Sequence, residues 1–341
     1  MDKKISINDI ARELKVSTTT VSFVLNGKAQ EKRISEGLVK IILDYVDRVG
    51  YQPSHLAKSL RTGKSNVIVM LVEDISDPFF SNVARLIEQK TYHSGYKIVF
   101  CSTENDPAKT RELISVFTYR KVDGFIIAPS PGIEKEIQYL VDQNIPFVLF
   151  DRFFPGLHCN SVVVDNYTGM FNAVNHLATN GYSRIAFITL ESSQTQMDQR
   201  LRGYLNALQK LNVEPVLKQI PYHLHLDAES DIESFLTDNK DKIDAVIFAT
   251  NYLGIKGLEV LNKLNIKFPL DLGLIVFDDS DLFRLFSPPI TAIAQPLQEI
   301  SSEIINILFK ALSSGSQVEK RTILLQTELI ERKSTTARVL I

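Results

Sequence analysis

Ser6-Ile7-Asn8-Asp9-Ile10-Ala11-Arg12-Glu13-Leu14-Lys15-Val16-Ser17-Thr18-Thr19-Thr20-Val21-Ser22-Phe23-Val24-Leu25-Asn26-Gly27 decides the N-terminal fold. Ser6 stands three residues before Asp9, the spacing of a capping box, so a helix starts here. Ile7, Ile10, Ala11 and Leu14 follow at helical spacing and give one short buried stripe. Lys15-Val16 is long enough only for a turn. Ser17 offers a second N-cap, Val21, Val24 and Leu25 form the next stripe, and Asn26-Gly27 is a C-terminal stop. A third helix is expected from Ser35 to Gly50, its stripe made of Leu38, Ile41, Ile42, Tyr45, Val46 and Val49. Three short amphipathic helices with a tight first turn describe a helix-turn-helix domain.

At about 100° per residue, Thr19 and Phe23 lie nearly opposite the buried side of the second helix. Ser22 flanks them, and Thr18 projects from the first turn. An exposed Phe beside hydroxyls suits a face that enters a major groove, where Thr meets base edges and an apolar ring meets thymine methyls. Packing of Phe23 on a neighbouring helix is the plainer alternative. Further on, Pro53-Ser54 followed by Leu56 and Leu60 reads as a helix too short to be stable alone, with Lys58, Arg61 and Lys64 around it.

Charge is divided along the chain. The 341 residues carry 38 Lys+Arg against 40 Asp+Glu, a net of −2. Met1 to Lys64 holds 12 basic and 7 acidic residues, or +5, which leaves −7 on the rest. A basic head on an acidic body points the head toward a polyanion. With 44% hydrophobic and 23% charged residues the composition is that of a globular protein, not a disordered one. No apolar run approaches the roughly 20 residues that span a bilayer, and the N-terminus lacks a signal-peptide core, so a cytoplasmic protein is expected. Cys101 and Cys159 read as reduced thiols.

From Asn66 onward, apolar strand-like runs alternate with helical patterns: Val67–Val72, Tyr96–Cys101, Gly124–Ala128, Pro146–Phe150, Arg184–Leu190, Ala245–Ala249 and Gly273–Phe277. Continuous apolar strands between amphipathic helices imply parallel sheets covered on both faces. About 275 residues exceed one ordinary core, so two α/β lobes are expected. Ligands of such sheets sit beyond the carboxyl ends of the strands. The polar residues there are Asp74, Ser102, Ser130, Asp151-Arg152, Glu191-Ser192, Asn251 and Asp278-Asp279. Asp77-Pro78-Phe79-Phe80 reads as a capped helix start that holds an aromatic ring at a pocket mouth, with a core role for both rings as the alternative. Carboxylates and a guanidinium fork suit a small polyhydroxylated ligand.

Both halves resemble the LacI/GalR (lactose-repressor-like) family of bacterial transcriptional regulators. In the head the matching strings are Asn8-Asp9-Ile10-Ala11, Val16-Ser17-Thr18-Thr19-Thr20-Val21-Ser22, Leu25-Asn26-Gly27, Gly50-Tyr51-Gln52-Pro53 and Ala57-Lys58-Ser59-Leu60-Arg61-Thr62-Gly63. In the body they are Asp74-Ile75-Ser76-Asp77-Pro78-Phe79-Phe80, Val122-Asp123-Gly124, Phe150-Asp151-Arg152, Val164-Asp165-Asn166, Gly181-Tyr182-Ser183-Arg184-Ile185, Arg200-Leu201-Arg202-Gly203-Tyr204 and Phe277-Asp278-Asp279. The resemblance implies a small all-α helix-turn-helix domain over residues 1–52 and a hinge over 53–64. It also implies a two-lobed periplasmic-binding-protein-like effector and dimerisation domain over 65–341, with two parallel doubly wound sheets. The lobes would comprise 65–163 with 294–325, and 164–293 with 326–341. The implied DNA-binding residues are Ser17, Thr18, Thr19, Ser22, Phe23 and Asn26, with Thr18, Thr19 and Phe23 at base-reading positions. Ala57, Lys58 and the wedge Leu60 belong to a hinge helix in the minor groove. The implied effector contacts are Phe79, Asp151, Arg200, Asn251 and Asp278.

Phe23 stands where many members carry Arg or His, Lys15 where Gly makes the turn, Tyr252 where Asp follows the Asn, and Val276 where Gly precedes Phe-Asp.

The expected protein is therefore a homodimeric, nucleoid-associated regulator, acting as a repressor. It binds a near-palindromic operator in double-stranded DNA and is switched by a sugar or phosphorylated sugar between its lobes. A purine-like corepressor is the second choice of ligand, and a sugar-binding protein without regulatory role the second choice of function. No enzyme, cofactor or metal is expected. Phosphate-binding glycine loops and nucleophile elbows are missing from the sequence. His223-Leu224-His225-Leu226-Asp227 could form a metal triad, or alternate as a strand with wet histidines. Asp278-Asp279-Ser280-Asp281 has no partner nucleophile, and His158-Cys159 is only adjacency.

Overall fold

The computed structural model describes residues 5–51, 63–314 and 320–337. The chain forms two compact units, Met1–Ser65 and Asn66–Ile341. The hinge residues Ala57, Lys58 and Leu60, and the helix expected around them, lie outside the described residues.

The first unit holds α1 (Ile7–Glu13), α2 (Thr18–Leu25) and α3 (Glu36–Arg48). The Ser6–Asp9 capping box forms with both reciprocal bonds, Asp9 N–H to Ser6 Oγ at 3.3 Å and Ser6 N–H to Asp9 Oδ2 at 3.0 Å. Lys15 makes the turn at φ 51°, so a lysine holds the left-handed conformation that suits glycine, at about 1–2 kcal/mol. Ile10, Ala11, Val21, Val24, Ile42 and Val46 close the core. Two details of α3 differ from expectation. It ends at Arg48, with no side-chain bond from Ser35 to its start. Ile41 is 55% exposed, because α3 turns its Ile42–Val46 edge inward and half-buries Leu38 and Val39 instead.

The second unit contains two six-stranded sheets built to one plan. In the first, β1 (Val67–Val72), β2 (Lys97–Ser102), β3 (Gly124–Ile127), β4 (Phe147–Phe150), β5 (Ser161–Val164) and β11 (Thr322–Leu325) lie in the order β11-β5-β4-β3-β1-β2. In the second, β6 (Ile185–Glu191), β7 (Val216–Pro221), β8 (Ala245–Phe248), β9 (Gly273–Phe277), β10 (Thr291–Ala294) and β12 (Glu328–Ile330) lie in the order β12-β10-β9-β8-β6-β7. Successive residues of β1 enter opposite cores: Ile68, Met70 and Val72 on one face, Val69 and Leu71 on the other. Each sheet is thus buried on both sides, which is why its strands read as unbroken apolar runs. All pairings are parallel except β10 with β12, so the second sheet is mixed at its edge. The chain passes between lobes at 164–166, 294–297 and 325–328.

Five strands went unforeseen in the sequence: β5, β7, β10, β11 and β12. The expected alternation at 223–227 is also not a strand; Tyr222–Asp227 is a 3₁₀ turn that follows β7.

The helices that matter for the site are α4 (Pro78–Tyr92) after β1, α8 (Thr195–Leu211) after β6, and α10 (Asn251–Lys263) after β8. Asp77 caps α4, accepting the Phe79 N–H at 2.7 Å, with Pro78 at the first helical position.

Candidate functional site

A cavity of about 230 Å³ lies at the carboxyl ends of the strands and is walled by both lobes. In folds of this strand order, ligands bind where the order reverses; here that is between β1 and β3 and between β6 and β8. The first lobe contributes Glu73, Asp74, Asp77, Phe79 and Asp151, and the second contributes Gln196, Arg200, Asn251, Tyr252 and Asp278. Gln295, on the crossing after β10, completes the wall. All five residues implied for the effector therefore meet in one cavity. Phe79 is 8% exposed and packs edge-on against Phe80, 5.0 Å between ring centres, so it belongs to core and cavity wall at once.

Asp151 and Asp278 occupy equivalent places, each directly after the fourth strand of its sheet, and both have positive φ, 66° and 73°. Asp tolerates that conformation better than most residues, and such local strain concentrates at binding sites. Arg200 is 2% exposed. Its Nε donates to Asn166 Oδ1 (2.8 Å) and its Nη1 to the Ala249 carbonyl (2.7 Å), and its guanidinium lies 3.5 Å from the centre of the Phe277 ring. Asp278 Oδ2 is 3.7 Å from Nη1, and Gln295 donates to the other Asp278 oxygen. Asn251 reaches across the cavity and donates to Asp77 Oδ1 at 3.3 Å.

Burial decides the ionisation of these carboxyls. It pushes Asp77 up to about 7, aided by the nearby Asp278 and opposed by the Phe79 N–H and Asn251. Burial likewise lifts Asp151 to about 6 against the pull of Arg152 and Arg200, and it raises Asp278 against Arg200 and Gln295. The Tyr252 phenol is held well above its ordinary value by burial and then by the Glu73 carboxylate, so it stays a hydrogen-bond donor.

Beside the cavity the lobes are joined by polar contacts. Glu73 of the first lobe accepts from Arg152 (2.7 Å) and from the Tyr222 hydroxyl of the second (2.8 Å). Arg152 also donates to Gln194 (2.8 Å), and Gln194 donates to Asn105 (3.0 Å).

The remaining strand-end residues have other duties. Ser102 Oγ accepts the Ile75 N–H, and Ser130 bonds Thr110. Asp279 is held by both Nη atoms of Arg332, Asp281 pairs with Arg284, and with Asp278 turned to the cavity the acidic run 278–281 points three ways. No group of three or more potential ligands is poised for a metal ion among the described residues. Cys159 is buried, and burial lifts its thiol to about 11, away from reactivity.

In the head, Thr18 and Thr19 are exposed on α2. Ser17 is the N-cap, with its Oγ accepting the Thr20 N–H at 3.0 Å. Asn26 folds back to donate to the Ser22 carbonyl at 2.6 Å. Phe23 is half-buried rather than fully exposed, because the following loop brings Lys32 Nζ to 5.5 Å from its ring centre. Glu73, Gln196 and Gln295 carry no sequence signal as cavity walls, and Asp77 is legible only as a cap.

Two family models match, "Bacterial regulatory proteins, lacI family" over residues 6–54 and "Periplasmic binding protein-like domain" over 174–335. The HTH-type transcriptional regulator DegA of Bacillus subtilis is 30% identical over 338 residues, 97% of this chain and 98% of that one. Among solved structures, the lac repressor dimer bound to operator and the anti-inducer ONPF is similar at TM-score 0.84 and 19% identity, over 98% of this chain and 100% of that one. A LacI family transcriptional regulator from Enterococcus faecium with bound ribose is similar at TM-score 0.71 and 25% identity, over 80% and 99%. With a matching head, a matching body and 30% identity to a regulator along nearly its whole length, this chain belongs to the lacI family of bacterial regulatory proteins, which are transcription regulators and not enzymes.

Proposed function

We propose that this regulator is a repressor that binds a near-palindromic operator as a homodimer and is switched by a small carbohydrate-like effector between its lobes. The observation that carries the reading is the cavity itself, where the aromatic ring of Phe79, the acceptors Asp151 and Asp278, the guanidinium of Arg200 and the amide of Asn251 converge from two lobes. Its volume is below the roughly 300–1,000 Å³ of drug-sized sites, as suits a single sugar ring. The structurally similar Enterococcus faecium regulator holds ribose, which supports the same ligand class.

The head, 1–52, reads bases through Thr18, Thr19 and Phe23, while Ser17, Ser22 and Asn26 hold the helix ends and face the backbone. The hinge, 53–64, wedges the minor groove with Leu60, flanked by Ala57 and Lys58. The body, 65–341, pairs two copies and moves the hinges when the lobes change their closure. The switch works only because the effector prefers one state. With operator DNA as its partner, the protein acts at the chromosome, in the cytoplasm.

Gel-shift assays with genomic fragments, with and without sugars, test the reading: one or more fragments bind specifically and a sugar alters that binding. Arg200→Ala and Asp278→Ala abolish the sugar response and retain operator binding. A protein that binds no fragment under any ligand condition ends it.

A further inference from the structure

The charges of the cavity narrow the ligand further, and this step rests on the reading above. Among the described residues five carboxyls line the cavity, Glu73, Asp74, Asp77, Asp151 and Asp278, against one lining guanidinium, Arg200. Arg152, just behind the wall, pairs with Glu73 at 2.7 Å and Asp151 at 3.4 Å. Among the same residues this leaves Asp77 with no cation beside it and Asp278 with Arg200 at 3.7 Å. Arg200 is already committed to Asn166, to a backbone carbonyl and to the Phe277 ring. The groups on this wall that are buried without a hydrogen-bond partner are acceptors. Gln196 is 4% exposed and its Oε1 has none, and Gln295, whose Nε2 is spent on Asp278, leaves its own Oε1 without one. Buried acceptors require donors from whatever fills the space. A phosphate or carboxylate brings further acceptors and negative charge, a hydroxyl brings one donor, and an ammonium brings three and a positive charge.

We propose that the effector carries a protonated amine, seated between Asp77 of the first lobe and Asp278 of the second, on a small polar body such as a sugar ring. The amine then answers charges from both lobes at once and favours their closure. Asp77 faces Glu73 and Asp278, with Asn251 as its neutral partner; Asp151 faces Arg152, Arg200, Asp278 and Glu73. An arriving cation favours the ionised carboxylates, so binding expels protons and tightens as pH rises from about 5 to 7.5.

The test is calorimetry and thermal shift on the full chain with glucosamine, glucose and glucose 6-phosphate, and with the matching galactose series. In each series the amine binds about tenfold tighter than the neutral hexose, and the phosphate binds weakest. Asp77→Asn keeps a good helix cap, and with Asp278→Asn as a second variant it removes that advantage. A neutral hexose that binds as tightly as its amine, a phosphate that binds tightest, an amine advantage that survives both variants, or no amine binding at all overturns the proposal. If the amine advantage is absent while a neutral or phosphorylated sugar still alters operator binding, the regulator reading stands and the amine alone falls. If no sugar of any charge alters it, the carbohydrate reading falls as well.

Discussion

Asp151 and Asp278 sit in left-handed backbone after equivalent strands, and both are buried with raised carboxyl pKa values. Their identities were legible because Phe150-Asp151-Arg152 and Phe277-Asp278-Asp279 stand at the ends of apolar runs. Their strain was not, since φ depends on the turn that follows. Tyr252 and Val276, two departures from the family pattern, both have a place here. Tyr252 reaches the cavity wall, and Val276 fills the space that Gly254 leaves open. A stability prediction belongs to this scale. A buried acid whose folded pKa lies above its unfolded value stabilises the fold fully below the unfolded value and loses that contribution as pH rises through the folded one. For Asp151 the window runs from 3.8 to about 6, and for Asp77 from 3.8 to about 7. The unfolding midpoint of the effector-free protein should therefore fall between about pH 4 and 7, each pKa unit being worth at most about 1.4 kcal/mol. Thermal unfolding across that range checks it, and Asp151→Asn flattens the slope. A midpoint that rises over the window would show that both acids are held ionised.

At the level of elements, α10 shows how a helix is lowered onto its sheet to aim one side chain. Thr250 caps it, accepting the Leu253 N–H at 3.3 Å, so that Asn251 opens the helix facing the cavity. Gly254 and Gly257 permit the close approach: a Cβ on Gly257 would lie 2.1 Å from the Phe248 ring, and one on Gly254 2.5 Å from Val276. Gly257→Ala gains up to about 1 kcal/mol of helix propensity. It loses about 1–3 kcal/mol or more to overpacking against a buried ring. The net effect is a lower unfolding midpoint and, because the helix that carries Asn251 is displaced from its sheet, weaker effector binding; calorimetry with and without ligand reads both. An unchanged midpoint would mean that Phe248 yields freely. Strands were legible where a longer apolar run marks them, as with β1 and β9, whose bounds the apolar runs give residue for residue, while β5, fully buried but only four residues long, was not. The missed strands are short or edge-lying. Thr322–Leu325 and Glu328–Ile330 are half-exposed, and Lys218-Gln219 and Pro221 break the pattern of β7. Tyr222–Asp227 misled because alternation over five residues fits a 3₁₀ turn as well as a strand.

On the scale of the molecule, the body is one sheet plan used twice, with the cavity charges divided between the copies and the lobes joined by a few polar links. Nothing in a single sequence pairs Glu73 with Tyr222, 149 positions apart, because that contact exists only once the lobes meet. The link has consequences for closure. Glu73 is 14% exposed at its side chain, and its two donors, Arg152 and Tyr222, come from different lobes. A hydrogen bond to a charged group contributes about 1.5–3 kcal/mol, and it is lost when the lobes part. Tyr222→Phe removes the cross-lobe donor while leaving the ring in its apolar contacts, so the closed arrangement loses population against the open one. Effector affinity, which is scaled by the competent fraction, should fall roughly ten- to a hundredfold. Small-angle scattering of the effector-free variant should show a larger radius of gyration, and saturating effector should restore the wild-type value. If the affinity and the radius both stay at their wild-type values, the link is incidental, and closure is governed by the cavity carboxylates and their ligand alone.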